Sequence, residues 1–379
     1  MHICFLSGEY PHSDYPHGGV GTFLQMMSRF LVKNGVFVTI IGIGYSYSDE
    51  ESDDEGVKVF RLRKSRWSKF RFIDNSNRIN KRVNKVHENH RINIIEGAEL
   101  SFAFVKKNIE IKYLIRLHGG HHFFAESENR GINWWKGYQE RQSFKKADAV
   151  VGVSQYVVEH TAKYLSFKDK LKGVIFVPVN LDRFYQSDLN KSVKGRIFFA
   201  GTVCEKKGIR QLIQAIPIIK REVPEVHLII AGRDWVFPGS GKSYTDYLRQ
   251  FMDPSVQDVI TFLGSVANSD IPEYIESAQV CCFPSHMETF GIVSIEAMAM
   301  AKPLLYTKLG PGPEVVEYGK TGLLCDPLNP EDIAEKLIHI LTHPDEVRKM
   351  GENARAFAVL NFSLNVIGQK NIQLYNTLL

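Results

Sequence analysis

The chain has 379 residues, 44% of them hydrophobic and 23% charged, a composition that excludes disordered and fibrous classes and a length that predicts two domains rather than one core. Its formal net charge is +5, with the basic excess concentrated between Lys58 and Arg91. The five cysteines, Cys4, Cys204, Cys281, Cys282 and Cys325, lack the paired spacing of zinc sites and read as buried thiols in a reducing cytosol. Met1 to Ser7 lacks the regions of a signal peptide, and the longest apolar run, Val36 to Ile43, is far below the ~20 residues that span a bilayer. The expectation is a cytoplasmic chain whose membrane contact, if any, is peripheral on the inner face of the cell membrane.

In chain order, Ile3 to Leu6 predicts a strand, followed by a Gly, Pro and His turn and a helix carrying Phe23, Met26, Met27, Phe30 and Leu31 at helical spacing. Lys33-Asn34-Gly35 ends that helix, and the β-branched run Val36 to Ile41 completes a βαβ unit with a strand covered on both faces. Further strands are expected at 92–95, 113–117, 149–153 and 174–177. After Pro178-Val179-Asn180-Leu181-Asp182-Arg183-Phe184 the pattern begins again, with strands at 196–200, 226–231, 259–263, 280–283 and 303–306 and an amphipathic helix from Gly208 through Ile219. The fold class is therefore α/β, two Rossmann-like doubly wound parallel-sheet domains facing a central cleft. Domain limits are expected at 1–184 and 185–360, with 361–379 a terminal helix packing back toward the first domain.

Chemistry is most legible at Glu288-Thr289-Phe290-Gly291-Ile292-Val293-Ser294-Ile295-Glu296, where a strand and a Pro-Ser loop lead into a helix starting near Gly291. The free amides of such a helix start, with its dipole, form a seat for a diphosphate. Helical rise would separate Glu288 and Glu296 by about 12 Å, too far for the paired carboxylates of glycoside hydrolysis. They read instead as hydroxyl-binding groups at opposite ends of one ligand. Lys207, in the turn Ala200-Gly201-Thr202-Val203-Cys204-Glu205-Lys206-Lys207-Gly208, can offset diphosphate charge. His17-Gly18-Gly19-Val20-Gly21 lets backbone approach a ligand at the first helix, but Ile41-Gly42-Ile43-Gly44 carries no acidic residue, which argues against a dinucleotide-binding dehydrogenase. His118 ends a strand and precedes Gly119-Gly120-His121-His122, whose adjacent histidines lack metal-ligand spacing. No metal and no cofactor are expected.

The segment Glu288-Thr289-Phe290-Gly291 through Glu296-Ala297-Met298-Ala299, together with Lys302-Pro303 and Gly310-Pro311-Gly312-Pro313-Glu314-Val315-Val316, resembles the family-4 retaining glycosyltransferases of the GT-B fold, also called glycosyl transferases group 1. The resemblance covers nearly the whole chain. It implies that Glu288 binds a donor sugar hydroxyl, the amides following Phe290, including Gly291 and Ile292, hold phosphate, and Glu296 binds the ribose. It also implies that Gly201 and Lys207 grip the leaving diphosphate, that Gly18, Gly19 and Gly21 line the acceptor and phosphate side, and that His118 contacts the donor sugar near its reacting carbon. Where the family carries Arg after the first glycine of its turn, this chain has Thr202, leaving Lys206 or Arg233 to supply the charge.

The implied activity is retaining, metal-independent transfer of a hexose from a nucleotide-diphosphate sugar to a glycan or lipid-linked acceptor, in cell-surface polysaccharide or glycoconjugate biosynthesis. A nucleotide-sugar epimerase and a catalytically silent binding partner are the rival readings. Between Phe60 and Arg82, basic residues interleave with Phe60, Trp67, Phe70 and Phe72, a pattern that an anionic membrane surface, nucleic acid or a solvated face would each fit; the resemblance, through the lipid-linked acceptors many such proteins use, implies the membrane and no nucleic acid.

Overall fold

The computed structural model describes residues 1–12, 18–67, 69–127, 131–237 and 239–379; His17 lies outside them. Strand β1 (His2–Leu6) is buried along its whole length, as its apolar run requires inside a sheet covered on both faces. Helix α1 (Gly19–Lys33) turns Phe23, Leu24, Met27 and Leu31 inward at helical spacing, and the chain returns through β2 (Phe37–Ile43). There follow β3 (Glu50–Asp54), β4 (Val57–Leu62), α2 (Arg71–Asn89), β5 (Ile94–Gly97), β6 (Lys112–Leu117), α3 (His121–Ser127), α4 (Trp134–Lys146), β7 (Ala149–Gly152), α5 (Gln155–Ala162) and β8 (Leu171–Val174). They form a sheet ordered β3-β4-β2-β1-β5-β6-β7-β8, parallel except for β3.

The charged stretch after β2 is a hairpin that the sequence pattern did not predict. Acidic β3 runs antiparallel to basic β4, with Asp53 opposite Lys58 and Glu50 opposite Arg61. Lys58 Nζ lies 3.0 Å from Asp53. Part of the segregated charge is thus neutralised across one hairpin, while Val57, Val59 and Leu62 of β4 are buried. The strand expected at 174–177 begins earlier, at Leu171, although Ile175 still donates to Gly152 O at 2.9 Å.

The second half contains β9 (Arg196–Ala200), α6 (Ile209–Glu222), β10 (His227–Ala231), α7 (Tyr244–Gln250), β11 (Ile260–Gly264), α8 (Ile271–Ser277), β12 (Val280–Phe283), α9 (Ile292–Ala299), β13 (Leu304–Thr307), α10 (Gly312–Val315), β14 (Leu323–Cys325), α11 (Pro330–Thr342) and α12 (Pro344–Phe362). Its sheet, β11-β10-β9-β12-β13-β14, is parallel throughout. The terminal helix is α13 (Leu364–Leu378).

Two compact units result, Met1–Pro178 with Leu364–Leu379, and Val179–Ser363. The division falls at Pro178 rather than at 184 because the Val179 N–H donates to Phe362 O at 2.8 Å, joining this stretch to the second unit. Helix α13 is fixed to the first unit by a buried polar network. Arg116 on β6 donates to Glu96 on β5 at 2.6 Å and to Asn371 at 2.5 Å, and the Tyr375 hydroxyl donates to Glu96 at 2.8 Å. All four side chains are buried and meet one another inside the network, while Arg116 Nη1 has no hydrogen-bond partner among the described residues.

Candidate active site

In the second unit, β9 and β12 are neighbours at the centre of the sheet, so the loops leaving their carboxyl ends lie side by side, where ligands bind in such folds. The loop after β9 ends in a short turn, Glu205–Lys207, and the loop after β12 runs through Ser285 and Glu288 to α9. The Lys207 ammonium pairs with Glu288 Oε1, and the Ser285 hydroxyl donates to the same oxygen at 3.1 Å. Both partners of the ion pair are mostly buried, with side-chain exposures of 23% and 13%, so their charges are not fully screened by water. A cation and an acceptor group, 81 positions apart in the chain, thus stand together beyond the carboxyl ends of two central strands.

Gly291 caps α9 with φ 84°, and a Cβ there would collide with the Tyr306 hydroxyl, which itself donates to Phe290 O at 3.1 Å. Only glycine meets both demands at once. The Ser294 N–H folds back onto Gly291 O at 3.1 Å. Ile292 and Val293, in the first turn, keep amides without an intrahelical acceptor and are half-buried. Phe290 is buried, with its ring edge-on to Phe362 at 5.6 Å.

Glu296 stands one turn further along α9. Burial pushes its carboxyl up to about 7, opposed by the positive charge of Arg183. Arg183 is a site residue that the sequence pattern did not single out, although its stretch was marked as the domain junction. Its Nε is buried without a hydrogen-bond partner, and its guanidinium lies 5.4 Å from the Phe184 ring. Ser285 was also missed.

Gly201 and Thr202 leave the end of β9, and the chain after β10 runs beside them, with Val203 N–H donating to Arg233 O at 2.9 Å. Arg233 is exposed and, among the described residues, has no ion-pair partner. The Lys206 carbonyl accepts from His286 N–H at 2.9 Å, which fixes that turn against the loop after β12.

The first unit gathers its predicted residues at the carboxyl ends of its own strands. Gly18 caps α1 in an extended conformation, Gly19 opens the helix, and Gly21 is buried in its first turn. Phe23, on the same helix, packs edge-on to His118 with ring centroids 5.5 Å apart. Burial, aided by the charge of Arg116, pushes the His118 imidazole down to about 3, so it is neutral at physiological pH and offers one donor and one acceptor. The neighbouring histidines are engaged elsewhere. His121 Nε2 accepts from Asn133 N–H at 2.9 Å, and His122 Nδ1 pairs with Glu140.

Two α/β units with largely parallel sheets, one of them bearing a cation, a carboxylate and a helix start at the carboxyl end of its central strands, define a GT-B glycosyltransferase fold. The chain belongs to the group 1 glycosyltransferases: the family described as Glycosyl transferases group 1 matches residues 182–357, and Glycosyltransferase Family 4 matches residues 17–183. Among named relatives, Spore coat protein SA of Bacillus subtilis is 27% identical over 60% of this chain and 64% of its own length. An uncharacterized glycosyltransferase of Methanocaldococcus jannaschii is 25% identical over 99% of this chain and 98% of its own. The GDP-mannose-dependent alpha-(1-6)-phosphatidylinositol monomannoside mannosyltransferase of Mycobacterium tuberculosis is 25% identical over 67% and 69%. The chain thus spans somewhat less than two thirds of the first of these relatives and nearly all of the second.

Two solved structures share the fold at low identity. Sucrose-phosphate synthase from Thermosynechococcus elongatus superposes with a TM-score of 0.84 at 20% identity, covering 100% of this chain and 98% of that one. Anabaena HepE in complex with UDP-glucose gives 0.78 at 18%, covering all of both chains.

Proposed function

We propose that this glycosyltransferase moves a hexose, with retention of anomeric configuration, from a nucleotide-diphosphate sugar to a glycan or lipid-linked acceptor in cell-surface polysaccharide or glycoconjugate biosynthesis. The observation that carries the reading is the Lys207–Glu288 pair beside the start of α9. A diphosphate seated on the amides of Gly291, Ile292 and Val293 would bring its leaving oxygens to Lys207, and Glu288, released from the lysine, would accept a sugar hydroxyl. Arg233, exposed beside Gly201 and Thr202, supplies the second cation that Thr202 does not. Glu296 accepts the ribose hydroxyls, and neutral His118 donates to the sugar near the reacting carbon. The leaving oxygen takes the acceptor proton, so the protein positions and neutralises charge without a base or a metal of its own.

The donor class is read by thermal shift against uridine, guanosine and adenosine diphosphate sugars, since a ligand at 100 times its Kd stabilises by about 2.7 kcal/mol. Release of nucleoside diphosphate with transfer of the sugar is the expected result. A product in which the nucleotide sugar is merely epimerised, or binding without turnover, overturns the reading in favour of its rivals.

A lipid-linked acceptor is supported by the name of the mycobacterial relative and by the surface of α2. Of the four aromatic residues in the basic segment, Phe60 lies under Arg82 at 4.5 Å and Phe72 packs on Phe104 and Trp135, leaving Trp67 and Phe70 as the exposed pair. Arg63, Arg78, Lys81, Arg82 and Lys85 line a cavity of about 640 Å³ together with Asp49, and Arg78 is paired with Asp74 at 3.0 Å. Among the described residues no helix is long and apolar enough to cross a membrane. Vesicles containing anionic lipid should therefore bind the chain in a salt-sensitive way, and replacing Arg63, Lys64, Arg66 and Lys69 by Ser should reduce cosedimentation while sparing transfer to a short soluble acceptor. Equal sedimentation of the variant removes the membrane from the reading.

A further inference from the structure

The strand-end histidine stands on a turn held by two carboxylates far from it in sequence. Glu99, in the loop after β5, accepts from Gly119 N–H at 2.8 Å. Glu140, in the middle of α4, accepts from His121 N–H at 2.9 Å and from His122 N–H at 3.1 Å, and also pairs with His122 Nδ1. Three of the four amides that follow His118 therefore end on buried carboxylate oxygens. Glu99 is 2% exposed and Glu140 is fully buried.

The space between is filled to contact. A Cβ on Gly120 would fall onto Glu140 Oε1, so glycine at this position is what lets the carboxylate come up under the turn. The cradle is braced from outside as well. Asn133 caps α4 through its side chain, while its backbone N–H donates to His121 Nε2. Tyr164 stacks on His122, and Arg141 approaches the far side of that imidazole at 3.5 Å.

We propose that Glu140, with Glu99, is a positioning residue for His118, its carboxylate fixing the 119–122 backbone so that the imidazole is held against Phe23 at the carboxyl end of β6. The inference rests on the reading of His118 as a donor-sugar contact. A buried pair of acids is an expensive way to stabilise a turn, since each loses water and each disfavours the other's charge. Burial, with Glu140 nearby, lifts the Glu99 carboxyl to about 8. What such a pair provides that apolar packing cannot is direction: two oxygens of one carboxylate accept two successive amides and leave the turn a single conformation.

The test needs no knowledge of the donor. Histidines labelled with ¹³C and ¹⁵N are titrated in the full chain, with the His118 signal assigned by its loss in His118→Gln. In the wild type this imidazole should stay neutral well below pH 6. In Glu140→Gln, which keeps the volume but can accept only one of the two amides, the turn opens to water and the His118 midpoint should move up by more than one unit toward 6.5. Gly120→Ala, which pushes the carboxylate aside without touching its charge, should do the same. An unchanged His118 midpoint in both folded variants overturns the inference.

Turnover of UDP-glucose and of GDP-mannose to free nucleoside diphosphate separates this inference from the reading beneath it. Glu140→Gln should lower kcat at least tenfold with the donor KM within about threefold, and the double variant with His118→Ala should be no slower than His118→Ala alone. If His118→Ala lowers turnover but the two effects multiply, His118 keeps its role and the positioning by Glu140 falls. If His118→Ala turns over both donors at the wild-type rate, the role of His118 itself falls.

Discussion

Binding of nucleoside diphosphate should strengthen with rising pH through one side chain, Glu296. Burial raises its carboxyl to about 7, with Arg183 acting in the opposite direction. The role proposed for it requires the ionised form, because a carboxylate can accept both ribose hydroxyls, whereas the protonated acid turns one of its oxygens into a donor. For a midpoint near 7 the ionised fraction rises from roughly one in eleven at pH 6 to roughly ten in eleven at pH 8, and an apparent Kd scales inversely with the competent fraction. The expected gain is about tenfold, or about 1.4 kcal/mol. Calorimetry with UDP and with GDP at pH 6, 7 and 8 measures it. The terminal phosphate of either nucleotide also loses a proton in this range, so Glu296→Gln serves as the reference, and only the difference between wild type and variant belongs to the carboxylate. Parallel pH dependences in the two proteins would refute the reasoning and take Glu296 away from the ribose.

Lys207→Ala should lower kcat by about 10² to 10³-fold while changing the donor KM little, since charge on the leaving oxygens grows toward the transition state; steady-state kinetics at an unchanged kcat would return Lys207 to the role of a partner for Glu288. Glu288→Ala should leave the Kd for nucleoside diphosphate within about threefold and weaken the intact sugar nucleotide, and equal losses for the two ligands in calorimetry would cancel its assignment to the sugar. Removing one partner of the buried network that ties α13 to the sheet should be costly: Arg116→Met by about 3–5 kcal/mol, because it strands the Glu96 charge, and Tyr375→Phe by about 1–3 kcal/mol. Urea denaturation of the two variants should give that order, and the reverse order would mean that the ion pair is not the anchor of the helix.

The elements legible in the sequence are those whose burial is uniform. Arg196–Ala200 and Val280–Phe283 form strands over the ranges their apolar runs predict, because a strand at the centre of a parallel sheet is covered on both faces and needs no alternation to be recognised. At the sheet's edge the rule changes. β3 is acidic and mostly exposed, and in β4 the buried Val57 and Val59 flank the exposed Lys58 while Phe60 and Arg61 are half-buried before Leu62, so charge masks a period of two that is too short to predict the hairpin. The candidate site divides in the same way. Glu288, Lys207, Gly291 and Glu296 sit in local patterns whose turn and helix signals are continuous in the chain. Arg183 and Ser285 do not; the first acts on a carboxylate more than 100 residues away, and the second matters only because Glu288 turns toward it.

Glu140 stands between Gln139 and Arg141, and Glu99 between Ala98 and Leu100; as glutamates both would be assigned to the surface. Their burial follows from the order of the strands: β5 lies beside β6, so the loop after β5 reaches the turn after β6, and α4 then crosses close enough to present Glu140 to the amides of that turn. A backbone N–H taken out of water must find an acceptor, and the amides of His121 and His122, at the start of α3, have none within their own helix. Acids at these two positions meet that demand, and with it they hold His118 in a single orientation.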